Sequence, residues 1–264
     1  MTDSVLLIGC GRMGGALLKG WRESGVVDDA RVVDPALPEL PGVAVVASLA
    51  EILDPLPRTI LLAVKPQMLD TVLPGLKARL PTGALVISIA AGKTLSYFAD
   101  RLGSEVAVIR TMPNTPAAIG RGITVCCAGA AVSAAQRATA DALLCSVGQV
   151  AWTADETLMH AVTAVSGSGP AYVFLLIEAL QAAAVAAGLP ADLAARLARD
   201  TVTGSGELAR QSSDDPAKLR ADVTSPGGTT AAALAVLMAE DGLPDLMKRA
   251  VAAATARSEE MAKG

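Results

Sequence analysis

The spacing of apolar and polar residues divides this chain near residue 155 into two parts of different character. Before that point, short apolar runs alternate with stretches whose apolar residues recur at helical spacing. Runs that are apolar throughout are typical of strands buried on both faces, so this alternation predicts an open α/β fold with a parallel sheet. The predicted strands are residues 5–8, 31–33, 43–46, 59–64, 85–89, 106–110, 123–127 and 149–152. The predicted helices among them are residues 13–24, 49–53, 68–79, 94–102 and 134–146.

After residue 155 the pattern predicts helices only, and Asp155 is a natural N-cap for the first of them. Pro and Gly mark the turns between these helices. The predicted helices are residues 155–165, 170–187, 191–211, 216–223, 227–240 and 244–261. We therefore predict an α/β domain over residues 1–154 and an all-helical domain over residues 155–264.

The helical part is unusually apolar, and a domain of this size cannot bury all of that surface by itself. We therefore expect an obligate homodimer formed through the helical domain, with larger assemblies left open. The most apolar stretch, residues 171–189, contains Glu178, Gln181 and many alanines, which favours a buried helix over a membrane span. Glu178 is expected to hydrogen-bond a neighbouring helix, because a buried carboxylate needs a partner.

Composition narrows the classes of function. The chain has 264 residues, 52% of them hydrophobic, and a formal net charge of −4 without a basic cluster, which argues against nucleic acid as a partner. It begins directly with a strand pattern and lacks the features of a signal peptide, so we expect a cytoplasmic protein that does not associate with membranes. The spacing of the cysteines fits neither a zinc site nor a disulfide framework. We therefore expect no metal and four buried thiols, which are Cys10, Cys126, Cys127 and Cys145.

A glycine-rich motif follows the first predicted strand and begins the first predicted helix. Gly9 would permit the tight turn, Gly11 would let the backbone approach a pyrophosphate, and Gly14 would let the helix pack closely on the strand. The helix N-terminus would add N–H groups and a positive dipole end for the phosphates. The pattern predicts a Rossmann domain that binds a dinucleotide through Gly9-Cys10-Gly11-Arg12-Met13-Gly14.

Asp34 ends the second predicted strand, at the position from which Rossmann domains contact the adenosine ribose. A carboxylate there can accept hydrogen bonds from the ribose and would repel a 2′-phosphate, which favours NADH. Arg12 could offset that repulsion and admit NADPH, and Asp34 could instead be a turn residue before Pro35. The expected cofactor is therefore NADPH or NADH.

Four further segments are hard to explain by packing alone. They are Ala63-Val64-Lys65-Pro66-Gln67, Arg110-Thr111-Met112-Pro113-Asn114-Thr115-Pro116, Ser166-Gly167-Ser168-Gly169-Pro170-Ala171-Tyr172 and Val223-Thr224-Ser225-Pro226-Gly227-Gly228-Thr229-Thr230. With the opening glycine motif, this ordered set resembles the Δ1-pyrroline-5-carboxylate reductase family over residues 5–261. The resemblance implies reduction of Δ1-pyrroline-5-carboxylate to L-proline with a hydride from NAD(P)H, the last step of proline biosynthesis. It also implies an active site between a Rossmann domain and a helical dimerisation domain, completed across the dimer.

The resemblance implies particular site residues as well. Further cofactor contacts would be Ala63, Val64, Lys65, Pro66, Ala90, Ala91 and Asn114. Substrate contacts would be Ser225, Gly227, Gly228, Thr229 and Thr230. Lys65 could instead be a solvated loop residue, and Asn114 could simply shape the turn between its flanking prolines. The family usually has Asn where this chain has Asp222, so a role for that side chain stays open.

The chemistry of imine reduction suits these residues. A protonated imine is already an electrophile and the cofactor carries the hydride, so the protein must mainly position and stabilise the reactants. Ser225 is expected to be an N-cap and Pro226 the first residue of a helix whose N–H groups bind the substrate carboxylate, unless this is an ordinary helix start. Thr230 is the predicted catalytic residue, with its hydroxyl near the ring nitrogen. His160, the single histidine, is expected to be structural or exposed.

Other functions fit the sequence less well. A β-hydroxyacid dehydrogenase shares the two-domain plan but typically uses a lysine acid in its helical domain, and Lys218, Lys248 and Lys263 lie in no matching Gly-rich helix. A non-catalytic NAD-sensing protein would keep the glycine motif without needing the turn at residues 225–230. A reductase for a different cyclic imine stays open, because ring size and substituents are not readable from sequence.

Overall fold

The structure, a computed structural model, describes residues 2–37 and 40–263, apart from the side chains of Thr2, Asp3 and Lys263. Its first part contains an eight-stranded sheet. The strands are β1 Thr2–Ile8, β2 Val27–Val33, β3 Ala44–Val46, β4 Thr59–Leu62, β5 Leu85–Ser88, β6 Ala107–Met112, β7 Gly122–Ala128 and β8 Gly148–Thr153. Their order in the sheet is β3-β2-β1-β4-β5-β6-β7-β8. The first six strands have the doubly wound order of a Rossmann fold, with the reversal between β1 and β4, which confirms the predicted fold class.

Helices cover both faces of this sheet. They are α1 Arg12–Ser24, α2 Leu69–Lys77, α3 Leu95–Leu102 and α4 Ala134–Cys145. Successive strand residues point to opposite faces, so Val5 and Leu7 pack with α1 and α4, while Leu6 and Ile8 pack with α2 and α3. The central strands β4 and β5 are buried along their whole length, which explains their apolar sequences, whereas β2 carries the exposed Asp28 and Asp29.

The prediction of a parallel sheet is wrong at one place, where β7 runs antiparallel to β6. The other six strand pairs are parallel. The connection from β6 to β7 holds one short 3₁₀ turn, Thr115–Ile119, and a parallel crossover needs a dozen or more residues. The predicted helix at residues 49–53 is likewise only a 3₁₀ turn, Leu49–Glu51.

The rest of the chain is helical, as predicted. After a 3₁₀ turn at Glu156–Leu158 come α5 Met159–Val162, a π-helical turn at Thr163–Gly167, α6 Gly169–Ala186, α7 Ala191–Gln211, α8 Pro216–Asp222, α9 Thr229–Leu237 and α10 Leu243–Lys263. The Asp155 side chain accepts the Thr157 N–H at 2.9 Å, so it caps the first turn as expected. The residues up to Gly167 and from Ala254 onward form one compact unit, and residues 168–253 form a second. The boundary predicted from the sequence, after residue 154, lies earlier in the chain.

The second unit buries little of its own apolar surface. The α6 helix has no buried residue, and α7 buries only Ala194 and Ala198. Residues 171–189 do form mostly helix, but the prediction that this helix is buried is wrong within the single chain, because α7 packs on only part of it. By length and composition the helical stretch Glu156–Ala186 would suit a membrane span. Glu178 is exposed, and its expected bond to a neighbouring helix is not made within the described residues.

Candidate cofactor and substrate sites

A cavity of about 640 Å³ opens beside the glycine motif, at the carboxyl ends of β1, β2 and β4. This is the point where the strand order reverses, at which open α/β sheets bind their ligands. Six of the predicted cofactor residues line the cavity, and they are Gly9, Gly11, Asp34, Ala63, Val64 and Lys65. The cavity lining also includes residues that no sequence motif predicts, among them Ala47, Ser48, Leu49, Ala50 and Thr71. The pairing of β3 with β2 brings Ala47 and Ser48 there, and no local motif marks them.

The glycines of the motif differ in what surrounds them. Gly9 has φ of +90°, and a Cβ there would lie 2.8 Å from the Ala63 carbonyl carbon. A Cβ on Gly14 would lie 2.3 Å from the Gly9 oxygen. A Cβ on Gly11 would meet nothing within 4 Å, so this backbone faces open space. Gly9 and Gly14 therefore build the turn, and Gly11 leaves room for a ligand.

The α1 helix presents an anion site to that space. Its N-cap is Gly11, whose backbone oxygen accepts the Gly15 N–H at 2.8 Å and which has no side chain to cap the helix. The N–H groups of Arg12, Met13 and Gly14 therefore have no partner within the helix. Such groups, with the positive end of the helix dipole, suit a pyrophosphate. The residues present thus fit a dinucleotide.

Asp34 ties the glycine motif to the turn after β2. Its Oδ2 accepts the Cys10 N–H at 2.7 Å, and its Oδ1 accepts the Ala36 N–H at 2.9 Å. Asp34 is therefore the turn residue that the sequence offered as one alternative, and it also lines the cavity, so its contact with the adenosine ribose stays a prediction. Burial, and then the nearby Asp34 carboxylate, raises the pKa of the Cys10 thiol, which favours its neutral form.

The other predicted cofactor residues do not line this cavity, although they lie near the same edge of the sheet. They are Cys10, Arg12, Met13, Gly14, Pro66, Ala90, Ala91 and Asn114. Ala90 and Ala91 follow β5 and Asn114 follows β6, and these strands run parallel to β4. The Asn114 Oδ1 accepts the Ile123 N–H at 2.9 Å, so this side chain shapes the turn before β7.

The predicted substrate residues form a turn and a helix start within the second unit. The Gly228 N–H donates to the Ser225 oxygen at 3.0 Å, and Gly227 has φ of +71°. Pro226 followed by a glycine with positive φ is typical of a type II turn. The prediction that Ser225 is the N-cap and Pro226 the first helical residue is wrong, because this turn delays the helix to Thr229 and makes Gly228 its N-cap.

The start of α9 is therefore bare. Gly228 contributes no side-chain cap, and the Ala232 N–H is the first to bond back, to the Gly228 oxygen at 3.2 Å. The N–H groups of Thr229, Thr230 and Ala231 point out of the helix end, which suits a carboxylate. Asp222, just before this segment, is held by Lys218, whose Nζ donates to Oδ1 at 2.6 Å.

The single histidine is structural, as the sequence predicts. The Nδ1 of His160 lies 3.0 Å from the Oγ of Ser258, which is buried, so the histidine has a structural partner.

Cys126 and Cys127 are buried as expected, and burial raises the pKa of Cys126 to about 12. The expectation of four buried thiols is wrong for the other two. Cys145, the last residue of α4, is exposed, and Cys10 is half-buried.

Known proteins match this chain along its whole length. Residues 156–261 match the family model described as pyrroline-5-carboxylate reductase dimerisation, and residues 4–92 match one described as NADP oxidoreductase, coenzyme F420-dependent. The pyrroline-5-carboxylate reductase of Pisum sativum is 39% identical over 270 residues, which cover 99% of this chain and 97% of the relative. That of Pseudomonas aeruginosa is 40% identical over 269 residues, which cover 99% and 98%.

Solved structures agree with these relatives. The pyrroline-5-carboxylate reductase of Coxiella burnetii superposes with a TM-score of 0.92 at 34% identity, and the match covers 100% of both chains. The enzyme of Plasmodium falciparum, with NADP bound, gives a TM-score of 0.85 at 30% identity over 98% of each chain. This chain therefore belongs to the pyrroline-5-carboxylate reductase family, as its motifs predicted, and is an NAD(P)H-dependent oxidoreductase.

Proposed function

We propose that this chain reduces Δ1-pyrroline-5-carboxylate to L-proline with a hydride from NAD(P)H, the last step of proline biosynthesis. The observation that carries the proposal is the pairing of two sites in one chain of this family. One unit holds a glycine-lined cavity for a dinucleotide, and the other holds a bare helix N-terminus that suits a small carboxylate. A sensor of NAD without catalysis would need only the first site.

The first unit would hold the cofactor. The N–H groups at the start of α1 would bind its pyrophosphate, Gly11 would leave room for it, and Asp34 would face the adenosine ribose. Lys65, at the end of β4, would lie along the cofactor towards its nicotinamide ribose. When bound, NAD(P)H supplies the hydride that the imine carbon accepts.

The second unit would hold the substrate. The N–H groups of Thr229, Thr230 and Ala231 would bind the carboxylate, and the small Gly227 and Gly228 would leave space for it. The Thr230 hydroxyl, half-buried at the second position of α9, would hydrogen-bond the ring nitrogen. Because hydride transfer needs close contact, the proposal requires that such a turn, from the same chain or from a partner, meets the nicotinamide in the functional assembly.

The proposed reaction needs no strong acid from the protein. The substrate nitrogen already carries a proton in the iminium form, so hydride addition to the carbon breaks the C=N π bond and leaves a neutral amine. That amine then takes a proton from water. His160 faces Ser258 and need not take part. The task of the chain is thus to hold the iminium, keep its carboxylate paired and position its carbon.

We further propose that the protein works as a soluble, cytoplasmic homodimer. The dimerisation family model covers the unit whose apolar helices are bare in the single chain, including Phe174, which is 58% exposed. A second copy packed on these helices would bury that surface, so the apolar character of Glu156–Ala186 does not require a membrane.

The test is a direct assay of the purified protein. Adding Δ1-pyrroline-5-carboxylate should cause loss of NADH or NADPH absorbance, with L-proline formed in equal amount. Parallel reactions with six-membered cyclic imines and with β-hydroxyacids plus the oxidised cofactors test the rival substrates. Oxidation of neither cofactor, or turnover of a rival substrate alone, would contradict the proposal.

A further inference from the structure

We propose that Asp34 makes this enzyme selective for NADH over NADPH. The inference rests on the proposed dinucleotide site and concerns the adenosine end of the cofactor, where the two molecules differ by a 2′-phosphate. Asp34 follows β2 and lines the cavity, at the position from which Rossmann domains contact the ribose hydroxyls.

The Asp34 carboxylate cannot easily move away from a 2′-phosphate. Its two oxygens each accept a backbone N–H, from Cys10 at 2.7 Å and from Ala36 at 2.9 Å. Cys10 belongs to the glycine motif itself, so a rotation of the Asp34 side chain would release the turn that holds the pyrophosphate. The carboxylate is therefore fixed at the wall of the cavity, where it can accept a hydrogen bond from a ribose hydroxyl and repel a phosphate.

The sequence after β2 contains no side chain that would bind a 2′-phosphate. It reads Asp34-Pro35-Ala36-Leu37-Pro38-Glu39-Leu40-Pro41 and contains no Lys, Arg, Ser or Thr. Pro35 and Ala36 are the residues of this segment that line the cavity beside Asp34. NADP-binding Rossmann domains commonly place an arginine here, and a segment whose cavity-lining charge is the Asp34 carboxylate does the opposite.

The cations in the described part of this region are mostly committed elsewhere. Arg31 pairs with Asp29 at 3.2 Å, and Arg22 donates to the Pro41 oxygen at 3.0 Å. Arg79 donates to backbone oxygens of the 49–54 segment, including that of Ile52 at 2.5 Å. Lys65 lines the cavity but follows β4, and two strand spacings separate β4 from β2, on the order of 10 Å.

Arg12 is the remaining candidate for a compensating charge. It is the first residue of α1, it is exposed, and it does not line the cavity. An exposed guanidinium would attract a 2′-phosphate weakly, because water screens the interaction. We therefore expect the fixed carboxylate to outweigh Arg12.

The experiment measures binding without substrate. NADH and NADPH are titrated into the full-length protein by nicotinamide fluorescence and by calorimetry, and 5′-ADP and 2′,5′-ADP isolate the adenosine end. We expect NADH to bind about 10- to 100-fold more tightly than NADPH, the range that a hydrogen bond to a charged group accounts for. The two adenosine fragments should differ in the same direction. Equal affinities, or tighter NADPH binding, would overturn the inference.

Variants assign the effect to its cause. Asp34→Asn removes the charge and keeps one side-chain oxygen for the backbone N–H groups. Asp34→Ser also removes the charge and shortens the side chain. Both variants should bring the affinities for NADH and NADPH closer together. Asp28→Ser removes another acid of β2 that is exposed and does not line the cavity, and it leaves the Arg31–Asp29 pair intact, so the ratio should be unchanged. Arg12→Ala should widen the ratio slightly, and thermal melting confirms that each variant folds. A ratio that survives both Asp34 variants would also overturn the inference.

The two proposals fail in different ways. If the protein binds NADH more tightly than NADPH but does not oxidise NADH when any cyclic imine is added, the proposed reaction is wrong and this inference stands. A protein that reduces Δ1-pyrroline-5-carboxylate equally well with both cofactors, and binds them equally, would contradict this inference and keep the reaction. Binding of neither cofactor would contradict both.

Discussion

The Nη1 of Arg110 donates to the Oε1 of Glu156 at 2.8 Å, and this pair joins β6 to the first turn of the helical segment. The same Glu156 oxygen accepts the Leu95 N–H at the start of α3 at 2.7 Å. The Arg110 side chain is 1% exposed, and within the described part of the chain its Nη2 has no hydrogen-bond partner. Glu156 thus pairs with the buried charge of Arg110, which lies in strand β6.

Removing Glu156 should therefore destabilise the protein strongly. Glu156→Ala leaves Arg110 buried without its partner, so the free energy of unfolding should fall by about 3–5 kcal/mol. Urea denaturation at one fixed protein concentration measures this change. The control is Glu23→Ala, which breaks the exposed pair with Lys19 and should cost about 0–1 kcal/mol. Similar losses in the two variants would contradict a structural role for the buried pair.

Substitution of two glycines of the dinucleotide motif should weaken cofactor binding for different reasons. Gly14→Ala places a Cβ 2.3 Å from the Gly9 oxygen, so it should cost about 1–3 kcal/mol of stability as well as cofactor binding. Gly11→Ala adds a Cβ with nothing within 4 Å, so the protein should keep its melting temperature. Its methyl group would nevertheless occupy space proposed for the pyrophosphate, and cofactor affinity should fall.

Calorimetry and thermal melting, run on both glycine variants, separate these outcomes. If Gly11→Ala binds NADH and NADPH as tightly as the unchanged protein, the pyrophosphate does not approach Gly11. If Gly14→Ala keeps both stability and binding, the close approach of Gly14 to Gly9 does not matter.

The Thr230 hydroxyl should affect turnover more than cofactor binding. Thr230→Val keeps the branched shape but loses the hydrogen bond proposed for the ring nitrogen, so kcat should fall by about 10- to 100-fold. Thr230→Ser keeps a hydroxyl and should restore most of the rate. Steady-state kinetics with Δ1-pyrroline-5-carboxylate measures kcat, and fluorescence titration should find unchanged cofactor affinity. Equal rates in the Val and Ser variants would remove Thr230 from the proposed mechanism.

The bare face of α6 should be where two copies meet. Phe174→Asp places a charge on a side chain that is 58% exposed in the single chain and proposed to be buried in the dimer. Sedimentation should then find a shift from dimer to monomer or aggregate. Leu53→Asp is the matched control, because Leu53 is 93% exposed and lies in the other unit, so it should leave the assembly unchanged. A Phe174→Asp protein that sediments as the unchanged protein does would place the dimer contact elsewhere.

Local pattern determined much of this protein. The pattern predicts all eight strands, because each contains a short apolar run, although β2 also includes Asp28 and Asp29 and begins four residues before its predicted start. It also predicts the helix at residues 191–211 with the bounds that the structure has. The sequence also predicts that Gly9, Gly11 and Asp34 lie together at this edge of the sheet, and they line one cavity. Their positions depend on spacing along one strand–turn–helix unit, and the sequence shows such spacing directly.

Tertiary structure decided the features that depend on distant or competing partners. The antiparallel β7 follows from a connection too short for a crossover, and Gly228 replaces Ser225 as N-cap because a type II turn takes up the preceding residues. The Arg110–Glu156 pair joins residues 46 positions apart, which no local pattern could have matched. The apolar pattern predicts that α6 is buried, whereas none of its residues is buried in the single chain. Apolar residues indicate a surface that will be covered, but they do not indicate whether the same chain or a second chain covers it.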